Sequence, residues 1–167
     1  MTALQLITLN VFLLLVIPLV TSWLISLIPA NRFEASSLLY KRRKWEQDGR
    51  LYERFLIKKW KDKLPEAGGW FNKGFSKRSL KGSDTAGLKR FIAETRRGEL
   101  AHWLQMLPCF FFFYWNSLAG GLVIALYAIV FNLPFIAVQR YNRIRLERTL
   151  FRKRTNDEMK QGKAGEG

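Results

Sequence analysis

Residues 4–28, LQLITLNVFLLLVIPLVTSWLISLI, decide the fold because they form a long run without a charged side chain. A helix needs about 20 predominantly apolar residues to cross the hydrocarbon core of a bilayer. The run exceeds the roughly 7 to 15 apolar residues of a cleaved signal peptide, and no basic segment precedes it. We therefore interpret residues 1–29 as a retained transmembrane helix.

A second uncharged stretch covers residues 103–138. With the residues just before it, the stretch is too long for one crossing, and residues 116–121, NSLAGG, are typical of a turn. We predict two antiparallel transmembrane helices within residues 99–138. The expected fold is an all-α membrane protein with three transmembrane helices, a basic interfacial helical loop at 30–98 and a basic tail at 139–167.

The charges lie outside these apolar stretches. Lys and Arg total 28 against 13 Asp and Glu, which gives a formal net charge of +15. All the basic residues fall in residues 29–99 or 139–167, so the positive-inside rule predicts a multi-pass protein of the cell membrane with the loop and the C-terminus in the cytoplasm. Anionic lipid head groups account for the basic charge, and no nucleic-acid-binding motif is present.

The chain has one Cys and one His. A zinc site of the usual Cys and His ligands, or an internal disulfide, is therefore not expected, and we assign no metal and no cofactor. Residues 67–74, AGGWFNKG, have the glycines of a phosphate-binding loop without its Gly-Lys-Ser/Thr order. A nucleotide site is not expected there.

The loop contains a segment with helical amphipathicity. Residues 51–61, LYERFLIKKWK, alternate apolar and basic side chains, with Leu51, Phe55 and Trp60 recurring on one side. Such a helix can lie in the membrane interface, with its apolar face in the lipid and its cations near phosphates.

Candidate catalytic residues meet at the start of the predicted second crossing. Glu99 and His102 are three residues apart, so a helix places them on neighbouring parts of one face. Ionisable groups at membrane depth are costly and often functional. We expect His102 to be a general base that takes a proton from an alcohol, with Glu99 as its orienting partner and Glu94 as a further candidate. The alternative is an interfacial hydrogen-bonding His102 and a Glu99 that pairs with Arg96.

A second polar cluster, residues 139–146 (QRYNRIRL), follows the last apolar stretch. Arginines bind phosphate through paired hydrogen bonds, so an acyl donor carrying phosphates could be held there. The alternative explanation is positive-inside topology with lipid contact, which does not account for Asn142. The substrate-binding candidates from these two clusters are Arg96, Arg97, Arg140, Asn142 and Arg143.

Several motifs together resemble one known family. They are KWKDKLP at 59–65, the Gly-rich residues 68–75, ETRRGELAHW at 94–103, NLPF at 132–135 and QRYNR at 139–143. In this order, over residues 50–146, the chain resembles the glycosyl-4,4'-diaponeurosporenoate acyltransferases. That family is associated with the last step of staphyloxanthin-type carotenoid synthesis, in which a fatty acyl group is esterified onto the sugar of a glycosylated C30 carotenoid acid.

The resemblance implies a membrane-bound O-acyltransferase that takes acyl-CoA or acyl-carrier protein as donor substrate. Its motifs add Lys59 and Trp60 to the substrate-binding candidates. The acceptor implied is a glycosylated carotenoid, although another glycolipid or a polyprenyl-linked sugar fits the same chemistry. The expected partners are membrane lipids, the lipid-linked sugar acceptor and the acyl donor, and the chain could join a complex with other enzymes of its pathway.

Two other functions are compatible with the composition. One is a non-catalytic membrane scaffold, and the other is a lipid-binding accessory of a biosynthetic complex. A scaffold needs a surface but has no need of clustered Glu, His and Arg residues. The cluster therefore favours the enzyme.

Overall fold

A computed structural model describes residues 1–34, 37–64 and 85–164, and this part of the chain is helical without a strand. The glycine-rich motif at residues 67–74 lies outside the described residues. Short 3₁₀ helices at Ala30–Phe33, Lys44–Gly49, Lys61–Lys63 and Leu107–Tyr114 join the α-helices. The α-helices are α1 (Ala3–Ser26), α2 (Arg50–Arg54), α3 (Ile57–Trp60), α4 (Thr85–Met106) and α5 (Leu118–Ala164).

Helix α1 comprises most of the first uncharged run. It begins with a capping box, in which Thr2 Oγ1 accepts from the N–H of Gln5 and the Gln5 side chain accepts from the N–H of Thr2. These bonds satisfy N–H groups that have no partner inside the helix. Many of its large apolar side chains are exposed, including Leu15 at 64%. A continuous apolar surface of this size requires lipid or another protein to cover it.

Two helices of the described residues, α1 and the apolar part of α5, are long and apolar enough to cross a membrane. The prediction of three such helices is therefore wrong. Helix α4 ends at Met106, and the chain continues as the 3₁₀ helix Leu107–Tyr114. Pro108 explains the change, because it lacks the N–H that would continue the α-helical hydrogen bonds.

The chain from α4 to α5 nevertheless packs along α1. Near one end of α1, Gln105 Nε2 donates to Ser22 Oγ at 3.1 Å. Near the other end, Trp115 Nε1 donates to Asn10 Oδ1 at 2.8 Å. The segment therefore runs antiparallel to α1, and the turn that precedes Leu118 lies at the same end as the N-terminus.

Helix α5 continues through the predicted boundary at residue 138. The basic tail is therefore, up to Ala164, an extension of the same helix rather than a separate segment. Helices α4 and α5 form the most extensive contact in the fold. Gly98 permits their close approach, since a Cβ there would lie 2.9 Å from Gln139 Nε2.

Residues 51–61 do not form the single amphipathic helix that the pattern predicts. The chain breaks between α2 and α3, where Leu56 has φ 55°. Tyr52 and Ile57 are buried against Tyr141 and Ile144 of α5. Tertiary packing onto α5 thus overrides local amphipathicity, and Phe55 is left 69% exposed.

The hydrogen bonds from residues 115 and 116 to α1 place this turn toward the N-terminal end of α1, and labelling can test on which side of the membrane it lies. In a Cys109→Ala background, Ser117→Cys should react with an impermeant thiol reagent in intact cells, whereas Thr149→Cys should react after permeabilisation. Ser117 directly precedes α5, and Thr149 lies on α5 beyond its apolar part, so the apolar part separates the two positions. Equal labelling of both in intact cells would contradict a crossing between them.

Candidate active site

Glu99 lies at the centre of a buried cluster of charged side chains, and it is itself completely buried. Its Oε1 accepts a hydrogen bond of 2.7 Å from Arg140 Nη1. Its Oε2 accepts one of 2.6 Å from Arg143 Nη1. Because Glu99 belongs to α4 and the arginines to α5, these ion pairs join the two helices. The two cations compensate the cost of burying the carboxylate.

Arg140 uses all five of its N–H donors inside the protein. Nε and Nη2 donate to the two oxygens of Glu46 at 2.9 and 3.0 Å. The remaining donors bind Glu99 and the backbone oxygens of Leu39 and Lys41. All five donors thus have partners within the protein, and the role of Arg140 in binding the acyl donor stays a prediction. We call Glu46, Glu99, Arg140 and Arg143 the ion-pair network.

A tight turn places Glu46 in this network. Gln47, Asp48 and Gly49 have φ of 46°, 60° and 93°, a left-handed run that is unfavourable for the two residues with side chains. Strain of this kind persists where surrounding contacts hold it. Gly49 adopts its positive φ without strain because it has no Cβ. A Cβ there would contact the ring of Tyr141 at 3.5 Å.

Glu46 accepts further hydrogen bonds from the Tyr52 hydroxyl, at 2.6 Å, and from the backbone N–H of Arg43. Burial opposes ionisation of Glu46, but the bonds from Arg140, Arg43 and Tyr52 outweigh it and lower its pKa. Burial, followed by the hydrogen bond to Glu46, raises the pKa of Tyr52. At neutral pH Glu46 is therefore a carboxylate and Tyr52 a neutral phenol.

Tyr40 lies between two guanidinium groups. The carbon atoms Cζ of Arg96 and Arg143 are 5.9 and 5.6 Å from the centre of its ring. Burial, and then the charge of Glu99, raise the pKa of Tyr40. Arg96 also donates to the backbone oxygen of Phe33, and burial lowers its pKa. The face of Tyr40, backbone oxygens and an ion pair of 3.6 Å with Glu147 thus hold Arg96, the third buried arginine beside the network.

Arg97 and Glu94 form a separate pair. Arg97 Nη1 donates to both carboxylate oxygens of Glu94, and its Nη2 donates to the backbone oxygen of Ile28 at 2.8 Å. Arg97 therefore ties α4 to the chain just beyond α1. Glu94 is half-buried and neutralised by this contact, away from His102, and its role as a base stays a prediction.

His102 has a different partner from the one predicted. Its Nδ1 lies 2.9 Å from Asn132 Oδ1, and its ring stacks on Phe135 with a centroid separation of 4.7 Å. The amide of Asn132 donates to the backbone oxygen of Ala128, which turns its Oδ1 toward the imidazole. Glu99 is instead bound by arginines. The expected pairing of Glu99 with His102 is thus not formed, and Asn132 orients the imidazole.

An apolar cleft of about 340 Å³ lies beside the ion-pair network. Its volume is within the range of about 300 to 1,000 Å³ that is common for small-molecule sites. The side chain of Trp103 lines it, whereas that of His102 does not. The segment before α2, helices α2 and α4, and helix α5 supply its wall, which consists of Leu39, Arg43, Trp45, Tyr52, Trp103, Leu133, Ile136, Ala137 and Arg140.

The remaining substrate-binding candidates lie outside the cleft. Lys59 is exposed on α3, and Trp60 packs against the apolar cluster of Tyr52 and its neighbours. Asn142 is half-buried on α5. Their roles in binding stay predictions, and the structure gathers none of the three at the cleft.

Several residues of the site were not found from the sequence. Glu46 follows a run of cations, Lys41-Arg-Arg-Lys44, so it resembles a solvated surface carboxylate. Its burial depends on the left-handed turn and on Arg140, far away in sequence. Asn132 gives a clearer signal, because an amide inside an uncharged stretch is costly unless a partner satisfies it. The free-energy cost of placing a polar group at membrane depth, which made His102 a candidate, applies equally to Asn132.

These features define an all-helical protein, over the described residues, in which a buried ion-pair network borders an apolar cleft. A sequence profile of the family described as glycosyl-4,4'-diaponeurosporenoate acyltransferase matches residues 36–152. Two proteins with that name, from Staphylococcus aureus strains N315 and USA300, are each 33% identical to the chain over 124 residues. These residues are 74% of this chain and 74% of each relative.

The chain belongs to the glycosyl-4,4'-diaponeurosporenoate acyltransferase family, as the sequence motifs predict, and it is an acyltransferase. The matched residues contain the whole ion-pair network, whereas α1 lies before them. They also begin earlier than the resemblance over residues 50–146, and so include Glu46. No solved structure matches the chain.

The network predicts a large loss of stability from one truncation. Arg140→Ala should lower the free energy of unfolding by about 3 to 5 kcal/mol, because it leaves two buried carboxylates without their shared cation. Thermal unfolding of the purified protein in detergent measures this loss.

Arg148→Ala is the matched control on the same helix. Its ion pair with Asp48 is 3.5 Å long and about half exposed, so its loss should cost about 1 kcal/mol or less. A similar effect of both substitutions would show that the network contributes no more than a surface pair.

Proposed function

We propose that this acyltransferase is membrane-bound and esterifies a sugar hydroxyl of a glycosylated carotenoid acid or a related glycolipid. The observation that carries the proposal is the apolar cleft, whose wall includes Arg140 and Tyr52 beside the ion-pair network. A lipid-linked sugar needs such a combination, because its chain is apolar and its reacting end is polar. The names of the relatives support the carotenoid acceptor.

The membrane placement rests on the distribution of apolar and charged side chains. Helix α1 and the apolar part of α5 would cross the bilayer, and the 3₁₀ helix Leu107–Tyr114 would pack alongside them. The buried charges at residues 96–99 and 140–143 then lie at one boundary, the side where the cations concentrate. This is the cytoplasmic side, where an activated acyl donor is available.

In this proposal the apolar chain of one substrate lies in the cleft between Trp45 and Trp103. Aromatic rings of this kind suit the membrane interface, since they combine an apolar face with a polar edge. Arg43, which lines the cleft, is exposed. Its Nη2 donates to the backbone oxygen of Leu38, and its other side-chain N–H donors are free of partners within the described residues. In this proposal Arg43 binds the acyl donor, because the N–H donors of Arg140 are occupied by protein oxygens.

The reaction is an acyl transfer from a thioester, either acyl-CoA or an acyl-carrier protein. The sugar hydroxyl oxygen attacks the thioester carbonyl carbon, so that a C–O bond forms and the C–S bond breaks. His102 lies outside the cleft, one residue from Trp103 on α4, so in this proposal the polar end of the substrate extends past Trp103 to reach it. His102 accepts the hydroxyl proton and returns it to the departing thiolate, which leaves as a thiol. Asn132 holds the imidazole with Nδ1 protonated, and Nε2 is then the nitrogen that accepts the proton.

The proposal is tested with the full-length protein in lipid nanodiscs. Mass spectrometry should detect an acyl ester when a glycosylated carotenoid acid and a fatty acyl thioester are both supplied. The same carotenoid acid without its sugar is the control and should give no ester. Formation of an ester on the unglycosylated acid, or of none on the glycosylated one, would contradict the proposed acceptor.

The assignment of His102 predicts a kinetic effect. His102→Ala should lower kcat by about 10² to 10⁴, the usual contribution of a general base, while the protein remains folded. Asn132→Ala should lower kcat less and shift the acidic limb of the pH–rate profile, because it disturbs the orientation and protonation of the imidazole without removing it.

Circular dichroism and size-exclusion profiles in detergent check the fold of these variants. Val130→Ala, at an exposed position on α5 two residues before Asn132, is the matched control and should retain its kcat. Near-normal turnover of a folded His102→Ala protein would remove His102 as the base.

If the cleft holds the apolar chain of a substrate, kcat/KM should depend on the length of that acyl or isoprenoid chain. Leu133 lines the cleft and is 45% exposed, so Leu133→Trp should narrow it without disturbing the buried core. The ratio kcat/KM should then fall more for long acyl or isoprenoid chains than for short ones. Val130→Trp, on the same helix but outside the cleft, should leave the chain-length profile unchanged. Identical profiles for both variants would place the chains elsewhere.

A further inference from the structure

The basic end of α5 extends well beyond the ion-pair network. Arg152 and Arg154 follow Arg140 by 12 and 14 residues on the same continuous helix. At the α-helical rise, they lie about 18 and 21 Å farther along the axis. Both are exposed, and neither has an ion-pair partner within the described residues. Their charges are therefore presented to the solvent away from the buried site.

This part of the helix is strongly basic. Residues 145–154 contain five Lys or Arg side chains and one carboxylate, Glu147. Arg148 faces Asp48 at 3.5 Å, and both side chains are about half exposed. Phe151 is 71% exposed among these cations. A large aromatic side chain beside arginines is typical of a protein–protein interface, where aromatic residues and Arg are enriched.

Attraction to a lipid surface does not account for the charges of Arg152 and Arg154. In the proposed topology α5 leaves the membrane near Arg140, and transmembrane helices are tilted by about 20° on average, which shortens the distances above by little. Arg152 and Arg154 thus lie farther from the head groups than the Debye length of about 8 Å at physiological ionic strength. Cations nearer the boundary, such as the exposed Arg32, are within reach of the lipid head groups.

We propose that residues 145–154 are the docking surface for an acidic acyl-carrier protein that supplies the acyl group as a thioester. This inference rests on the proposed function, and it identifies the donor. A carrier protein holds its thioester on a flexible prosthetic arm, so it can dock at one place and deliver the acyl group at another. The docking surface and the buried site lie at different points along α5, so the flexible arm would carry the acyl group from one to the other.

A small donor such as acyl-CoA has no need of this surface. Its phosphates must bind within the length of the donor molecule itself, near the cleft and Arg43. The two donors therefore respond differently to changes at residues 145–154, and this difference is the basis of the test.

The test uses the full-length protein in nanodiscs and the variant Arg152→Glu, because Arg152 shares a face of α5 with Arg148 and Phe151, whereas Arg154 lies on the other side of the helix. Kinetics are measured with the same acyl group on acyl-carrier protein and on CoA. With the carrier, KM should rise on the order of 10-fold or more, because like charges then face each other across the interface. With acyl-CoA, kcat and KM should remain unchanged.

Arg54→Glu is the matched control, a charge reversal at an exposed position on α2. It should leave the KM for the carrier unchanged. An unchanged carrier KM in Arg152→Glu, an equal rise of KM for acyl-CoA, or a wild-type protein that uses acyl-CoA and not the carrier would each overturn the docking surface. Absence of transfer from both donors would contradict the proposed function itself, and the docking surface with it.

Discussion

The five hydrogen bonds of Arg140 are the interaction on which the rest of the structure depends. Arg140 holds Glu99 of α4 and Glu46 of the segment before α2, and it also binds two backbone oxygens of that segment. Three parts of the chain that are distant in sequence thus meet at one guanidinium. A planar group with five donors in fixed directions can specify such an arrangement, and a lysine could not.

This network is better understood as a source of specificity than of net stability. Burying two carboxylates and two arginines carries a large desolvation cost, and well-packed apolar residues can be equally stabilising. An apolar core would, however, leave the register of α4 against α5 less defined. With the network in place, Trp103 faces the cleft and His102 faces Asn132, so two neighbouring residues take up defined positions on either flank of the helix contact.

The sequence was sufficient for the features that depend on composition and local chemistry. The uncharged runs predicted α1 and the apolar part of α5, the NSLAGG segment predicted the turn before Leu118, and the motif set predicted the family. Long-range contacts could not be predicted in this way. The role of Arg140 depends on Glu46, 94 residues away, and Pro108 turned an expected third crossing into a 3₁₀ helix. Packing onto Tyr141 of α5 also decides which side chains of residues 51–61 are buried, and the sequence of that segment alone does not show this contact.

Glu46 and Glu99 act as one unit through Arg140, although they do not bind each other. The most direct measurement is a double-mutant cycle of thermal stability with Glu46→Gln, Glu99→Gln and the pair. Residues that share a buried partner are coupled by about 0.5 to 3 kcal/mol, and we expect a coupling energy in that range. Additive effects of the two substitutions would contradict the account, because they would show that the two carboxylates contribute to the fold independently.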